Sequence, residues 1–182
     1  MKREKIFFLF GVIIILIFMI ACSNKKSSEN DEKSLNINLS KQEYITYLDN
    51  NYNEYLSNLD IDNKYNLDTA NVTSNDYLDN LKEAYKELNN KLLTLKNELE
   101  EGVKTTDQDI KNLNDNIINL VDETIISVNK VSIELEDKID KIKLKSADEI
   151  KADLLKIQED SNIARERLAK EVNNAKSKLK VE

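Results

Sequence analysis

Seven apolar residues, Leu78, Leu81, Tyr85, Leu88, Leu92, Leu95 and Leu99, recur at alternating intervals of three and four. Only an α-helix brings such positions onto one face, and an alternation held over three heptads is a coiled-coil seam. Lys82, Lys91, Lys96 and Glu98 flank it where interhelical charges sit. Composition closes the other routes. The 182 residues contain no proline and two glycines, which removes the turn chemistry of sandwiches, barrels and short-looped α/β folds. The chain is read as all-α.

The same period recurs on either side of the seam. Ser40 to Glu43 forms a capping box, followed by Ile45, Leu48, Tyr52, Tyr55 and Leu59 at helical spacing. Residues 60 to 73 lose the period and are read as a loop. Gly102 is expected to close the seam helix as a left-handed residue. Thr106, Asp107 and Asp109 then open a long helix whose stripe runs Ile110, Leu113, Ile117, Val121, Ile125, Val128, Val131, Leu135, Ile139 and Ile142. The β-branched stretch from Thr124 to Ile133 is read as helix because the stripe continues on both sides. A second capping box, Ser146 to Glu149, predicts a kink or restart before Ile150, Leu154, Ile157, Ala164, Leu168, Val172, Ala175 and Leu179. The expected helices are 41–59, 75–101, 106–145 and 146–181. They form a helical domain over 41–182, an elongated three- to four-helix bundle with coiled-coil-like packing. The competing architecture is an extended rod that oligomerises in parallel. All seven tyrosines lie between Tyr44 and Tyr85, and residues 86–182 hold no aromatic residue; a thin seam of Leu, Ile, Val and Ala suits a slender bundle.

Lys2, Arg3 and Lys5 precede an unbroken apolar run from Ile6 to Ala21. As a helix this run spans roughly 24 Å, short of the ~30 Å hydrocarbon core of a bilayer. Basic start, short apolar run and the small residue Ala21 read as an export signal over 1–21, cut between Ala21 and Cys22. Cys22 is the only cysteine. Residues 22–40 hold the cysteine and a polar stretch without apolar period, read as a flexible tether that reaches roughly 60 Å when extended.

Several functions are disfavoured on composition. With no histidine and one cysteine, most nucleophile–base pairs and nitrogen- or thiolate-based metal sites are missing, so no catalytic residue, metal or cofactor is expected. Net charge is −7 for the whole chain and becomes more negative once the basic start is removed, which argues against nucleic-acid binding. Asp60, Asp62, Asn63 and Asp68 lack the glycine and the twelfth-position glutamate of an EF-hand loop. Asn71-Val72-Thr73 matches a glycosylation sequon, a short pattern that by itself carries little weight. Tyr44 and Tyr47, near the first helix, and Arg165 and Arg167, in the basic C-terminal helix, are the candidate partner contacts. The bland reading makes the tyrosines packing residues and the basic charges dipole complements on a solvated face. The chain is rich in Asn, Lys and Ile, as translation of AT-rich coding DNA produces. Single polar residues therefore carry little weight on sequence alone.

Met19-Ile20-Ala21-Cys22 is similar to the bacterial lipobox, with Met19 where the usual pattern has Leu. Together with the polar tether, the lack of histidine and the helical body, the chain resembles the outer-surface lipoproteins of Borrelia-type spirochaetes. That resemblance implies acylation of Cys22, palmitate included, and anchoring in the outer membrane through those acyl chains. It implies surface exposure and protein–protein interaction with host or vector factors. The alternative is a periplasm-facing structural coiled-coil lipoprotein that associates with copies of itself.

Overall fold

The structure is a computed structural model and describes residues 38–56, 61–68 and 70–181. The signal segment, the Ala21–Cys22 cleavage point, lipidation at Cys22 and the tether up to residue 37 lie outside the described residues. Among the described residues the helices are α1 Lys41–Tyr55, α2 Ile61–Lys64, α3 Asn75–Gly102, α4 Gln108–Ile142 and α5 Ala147–Leu179. No strand occurs among the described residues.

The helix starts follow local chemistry. At α1 the Ser40 Oγ accepts from the Glu43 backbone N–H at 3.3 Å, and the Ser40 N–H donates to Glu43 Oε2 at 2.9 Å. Asp107 opens α4 by accepting from the N–H groups of Asp109 and Ile110 at 2.8 and 3.3 Å. At α5 the Ser146 N–H donates to Glu149 Oε2 at 3.0 Å. These bonds satisfy N–H groups that the first turn of a helix leaves without partners. The break expected near Ser146 is a helix restart across residues 143–146.

Ion pairs give the chain directions. Lys96 meets Asp122 and Lys143 meets Asp79, so α3 and α4 are antiparallel. Glu123 meets Arg167 and Lys130 meets Asp160, so α4 and α5 are antiparallel as well. α4 packs along both α3 and α5, while α1 lies against α3 and α5. Lys41 pairs with Asp107 and Asp109, and Tyr47 reaches Glu98. α1 therefore runs back along α3 from the α3–α4 connection. The result is an up-down-up-down four-helix bundle.

One end, here the stitched end, gathers the start of α1, the α3–α4 connection and the close of α5. The other, the turn end, carries the start of α3 and the α4–α5 turn. α1 covers only the stitched half. Residues 61–68 occupy the fourth position further along, with Ile61 and Tyr65 buried. Tyr65 Oη donates to the Asn80 carbonyl at 3.1 Å, and Tyr77 Oη donates to the Tyr65 carbonyl at 2.9 Å. All seven seam residues from Leu78 to Leu99 are buried in one continuous core.

Four expectations change, the first being that residues 60–73, read as a loop, contain the helix α2. The tether was expected to reach residue 40, yet Leu39 N–H donates to the Lys104 carbonyl at 2.9 Å and Asn38 Oδ1 accepts from the Thr106 N–H at 2.6 Å. Residues 38–40 are thus held against the α3–α4 connection. Gly102 is not left-handed; it is the last residue of α3, and no glycine among the described residues has positive φ. Its Cα is crossed by Tyr47, whose hydroxyl and Cζ, the latter at 2.6 Å, occupy the space of a Cβ. The left-handed closing residue is Lys180, φ 55°, with Val181 N–H reaching back to the Lys176 carbonyl at 3.1 Å. Finally, the stripe of α4 passes through Thr124, fully buried, rather than Ile125, which is only partly covered.

Candidate functional site

Tyr44 and Tyr47 do not form an exposed row. Tyr44 is fully buried. Its hydroxyl donates to Asn114 Oδ1 at 3.3 Å, and Asn114 Nδ2 donates to the Leu99 carbonyl at 3.1 Å. Leu99 is in the last turn of α3, where carbonyls lack helical partners, so this relay joins α1, α4 and α3 through one otherwise unused acceptor. Tyr47 is half-buried, and its hydroxyl donates to the Glu98 carbonyl at 2.8 Å and lies 3.0 Å from Glu98 Oε2. Burial, then the Glu98 bond, pushes its phenol up to about 12, and burial alone leads the upward shift of Tyr44. Both tyrosines hold α1 in place, so the partner role gives way to packing for Tyr44.

The two arginines serve different neighbours. Arg165 is half-buried, donates to Asn162 Oδ1 at 2.7 Å and lowers the phenol of Tyr52 on α1, although burial dominates that group and raises it. Arg167 is exposed and donates to Glu123 on α4 at 2.8 Å. The four residues singled out from sequence are therefore not gathered into one patch.

Hollows among the described residues include one in each half of the bundle. One, of about 540 Å³, lies at the stitched end beside Glu100, Lys111 and Asn119. Its buried polar side chain, Asn114, is already bonded to Tyr44 and Leu99. The other, of about 260 Å³, lies in the turn-end half, between residues 61–68 and α5. Ile61, Leu67 and Leu155 give it apolar walls, and Lys151, Asp68 and Gln158 bring polar groups to it. Gln158 is 8 % exposed and its Nε2 has no hydrogen-bond partner. Sequence reading missed it because it stands beside the stripe residue Ile157. Only the placement of residues 61–68 turns that flank into the wall of a cleft.

Among the described residues no group of three or more metal-ligating side chains is assembled, and no helix is long and apolar enough to cross a membrane. The fold is an all-α, antiparallel four-helix bundle in which α1 and residues 61–68 share one position. No family model, curated protein or solved structure matches the chain.

Proposed function

We propose that the chain is a lipid-anchored outer-surface lipoprotein that acts by protein–protein interaction with host or vector factors. The observation that carries this reading is Cys22, the only cysteine, set directly after an apolar run within Met19-Ile20-Ala21-Cys22. Two or three acyl chains, each buried methylene contributing about 0.8 kcal/mol, hold a protein stably to a bilayer where one chain does not. The bundle supports the reading as a carrier. Asn38, the first described residue, joins the stitched end, so a lipid at Cys22 is connected to the bundle through that end. The α4–α5 turn stands at the opposite end, with Leu144 88 % exposed. Binding rather than catalysis follows from a chain without histidine and with its single cysteine committed to lipid.

Cys22→Ala is expected to abolish labelling by radioactive palmitate and to move the protein from the detergent phase to the aqueous phase. A mutant that keeps both properties removes the anchor from consideration. Protease added to intact cells separates the two placements. Rapid loss supports surface display, and protection until the outer membrane is broken supports the periplasm-facing structural lipoprotein instead.

A further inference from the structure

We propose that the outward face of α4, centred on Ile126 and Ile133, docks a basic amphipathic helix of another protein. α4 packs along α3 and α5, and its buried residues Val121, Thr124, Val128, Val131 and Leu135 point into the bundle. Ile126 and Ile133 lie on the opposite side of the helix, 71 % and 51 % exposed. A single exposed apolar residue is ordinary. Two that are seven residues apart stand one above the other, about 10.5 Å along the same face. That is the anchor spacing with which one helix lies along another. Ile163 on α5 is also 51 % exposed. It stands between Asp160 and Arg167, which pair with Lys130 and Glu123, so it adds a third apolar side chain at the height of Ile126.

Charge decides the occupant. Between residues 115 and 140 the bases of α4 are Lys130 and Lys138, and both are held by carboxylates, Asp160 and Glu134. Asp115, Glu136, Asp137 and Asp140 are exposed and have no ion-pair partner among the described residues. The isoleucines therefore sit between acidic residues at both ends of the strip, with Lys141 the unpaired base that follows. Lysine or arginine on the flanks of a partner helix neutralises these carboxylates and speeds its approach. A second copy of this chain would bring the same carboxylates together in either orientation, which penalises self-association on this face. Two or three isoleucines supply a fraction of the ~1,000 Å² of a stable interface, so the contact is weak and transient. Docking here presupposes that the chain acts by protein–protein interaction, but not that Cys22 is acylated.

The test uses the protein from Ser23 onwards, which retains every described core residue. The probe is a synthetic peptide of about 18 residues, roughly five helical turns, with leucine on one face and lysine on its flanks. Titration followed by NMR should move the methyl resonances of Ile126 and Ile133 saturably, with a Kd on the order of 0.1–1 mM. Those of Leu144 and Leu155, exposed elsewhere, should stay in place. The same peptide with glutamate for lysine, or with serine for leucine, should leave all of them unmoved. Ile126→Ser with Ile133→Ser should weaken binding about tenfold or more. Asp137→Asn with Asp140→Asn, like added salt, should weaken it severalfold; all four side chains are exposed, so the bundle remains folded. Isoleucine methyls that do not respond to the leucine–lysine peptide overturn the proposal. So does equal movement at Leu144 and Leu155, equal binding of either control peptide, or unchanged affinity in either double variant. None of these measurements involves Cys22, so such a failure leaves the anchor to be judged by palmitate labelling alone.

Discussion

At the scale of single residues, Gly102 and Ser161 make opposite statements about what a side chain costs. Replacing a helical glycine by alanine ordinarily stabilises by about 0.5–1 kcal/mol, because alanine loses less backbone freedom on folding. Here the new Cβ would overlap the Tyr47 ring and hydroxyl. Overpacking of this kind costs about 1–3 kcal/mol, so the clash wins and Gly102→Ala lowers the unfolding free energy. In a Tyr47→Ala background the same change should become neutral or stabilising, and chemical denaturation of the four proteins in that cycle checks the sign reversal. Ser161 presents the other case. Its hydroxyl is fully buried on α5 without a partner, so Ser161→Ala removes a desolvation cost and should stabilise by about 1 kcal/mol. An unchanged or lower denaturation midpoint would mean that the hydroxyl has an acceptor after all. Neither residue announces its role in the sequence. Gly102 reads as a helix terminator because that is what glycine most often does there, and Ser161 falls in the gap of an apolar stripe between Ile157 and Ala164.

At the scale of elements, α3, α4 and α5 were legible because each packs against neighbours with one regular stripe, and their caps are written as Ser, Asp and Glu at fixed offsets. α1 was legible as a helix but not as a packing unit. It sits between α3 and α5, so it buries a wider arc, and Tyr44 and Asn51 join Ile45 and Leu48 in the covered set. A stripe drawn for a single neighbour omits them. The tyrosines that dock α1 and the following segment also predict how it fails. Tyr47 and Tyr77 have phenols raised from an ordinary 10.0 to about 12, burial being the leading cause in both, and Tyr44 is raised in the same direction. In that interval the folded state holds protons that the unfolded state has released. Stability is therefore full below pH 10 and falls as pH rises toward 12. Lys41, raised chiefly by its bond to Asp109, adds a loss of the same sign at the alkaline side. Far-ultraviolet circular dichroism should show helix loss over this window, coincident with tyrosinate absorbance. The double variant Tyr47→Phe, Tyr77→Phe, which cannot ionise at those positions, should move the transition to higher pH. Helix loss complete below pH 10 would contradict this assignment.

At the scale of the whole molecule, the connectivity was within reach of the sequence because the α3–α4 and α4–α5 connections are short enough to force antiparallel neighbours. The cleft was not, since it depends on where residues 61–68 lie once α1 has stopped, and no local pattern encodes that. The same packing decides between a bundle and a parallel rod. A rod that oligomerises needs its seam exposed for other copies, yet Leu78 through Leu99 are all buried within one chain. Among the described residues, six large apolar side chains remain outside: Leu93, Ile126, Ile133, Leu144, Leu155 and Ile163. They lie on three helices and the α4–α5 turn, and single exposed apolar residues are ordinary on a protein surface. A stable interface buries upward of about 1,000 Å², and the seam that would supply most of that apolar area is already used inside one chain. The soluble form from Ser23 onwards should therefore sediment as a monomer, with mass and helicity independent of concentration. A mass that doubles with concentration would require a contiguous interface, and Ile126→Lys with Ile133→Lys would show whether the outward face of α4 supplies it.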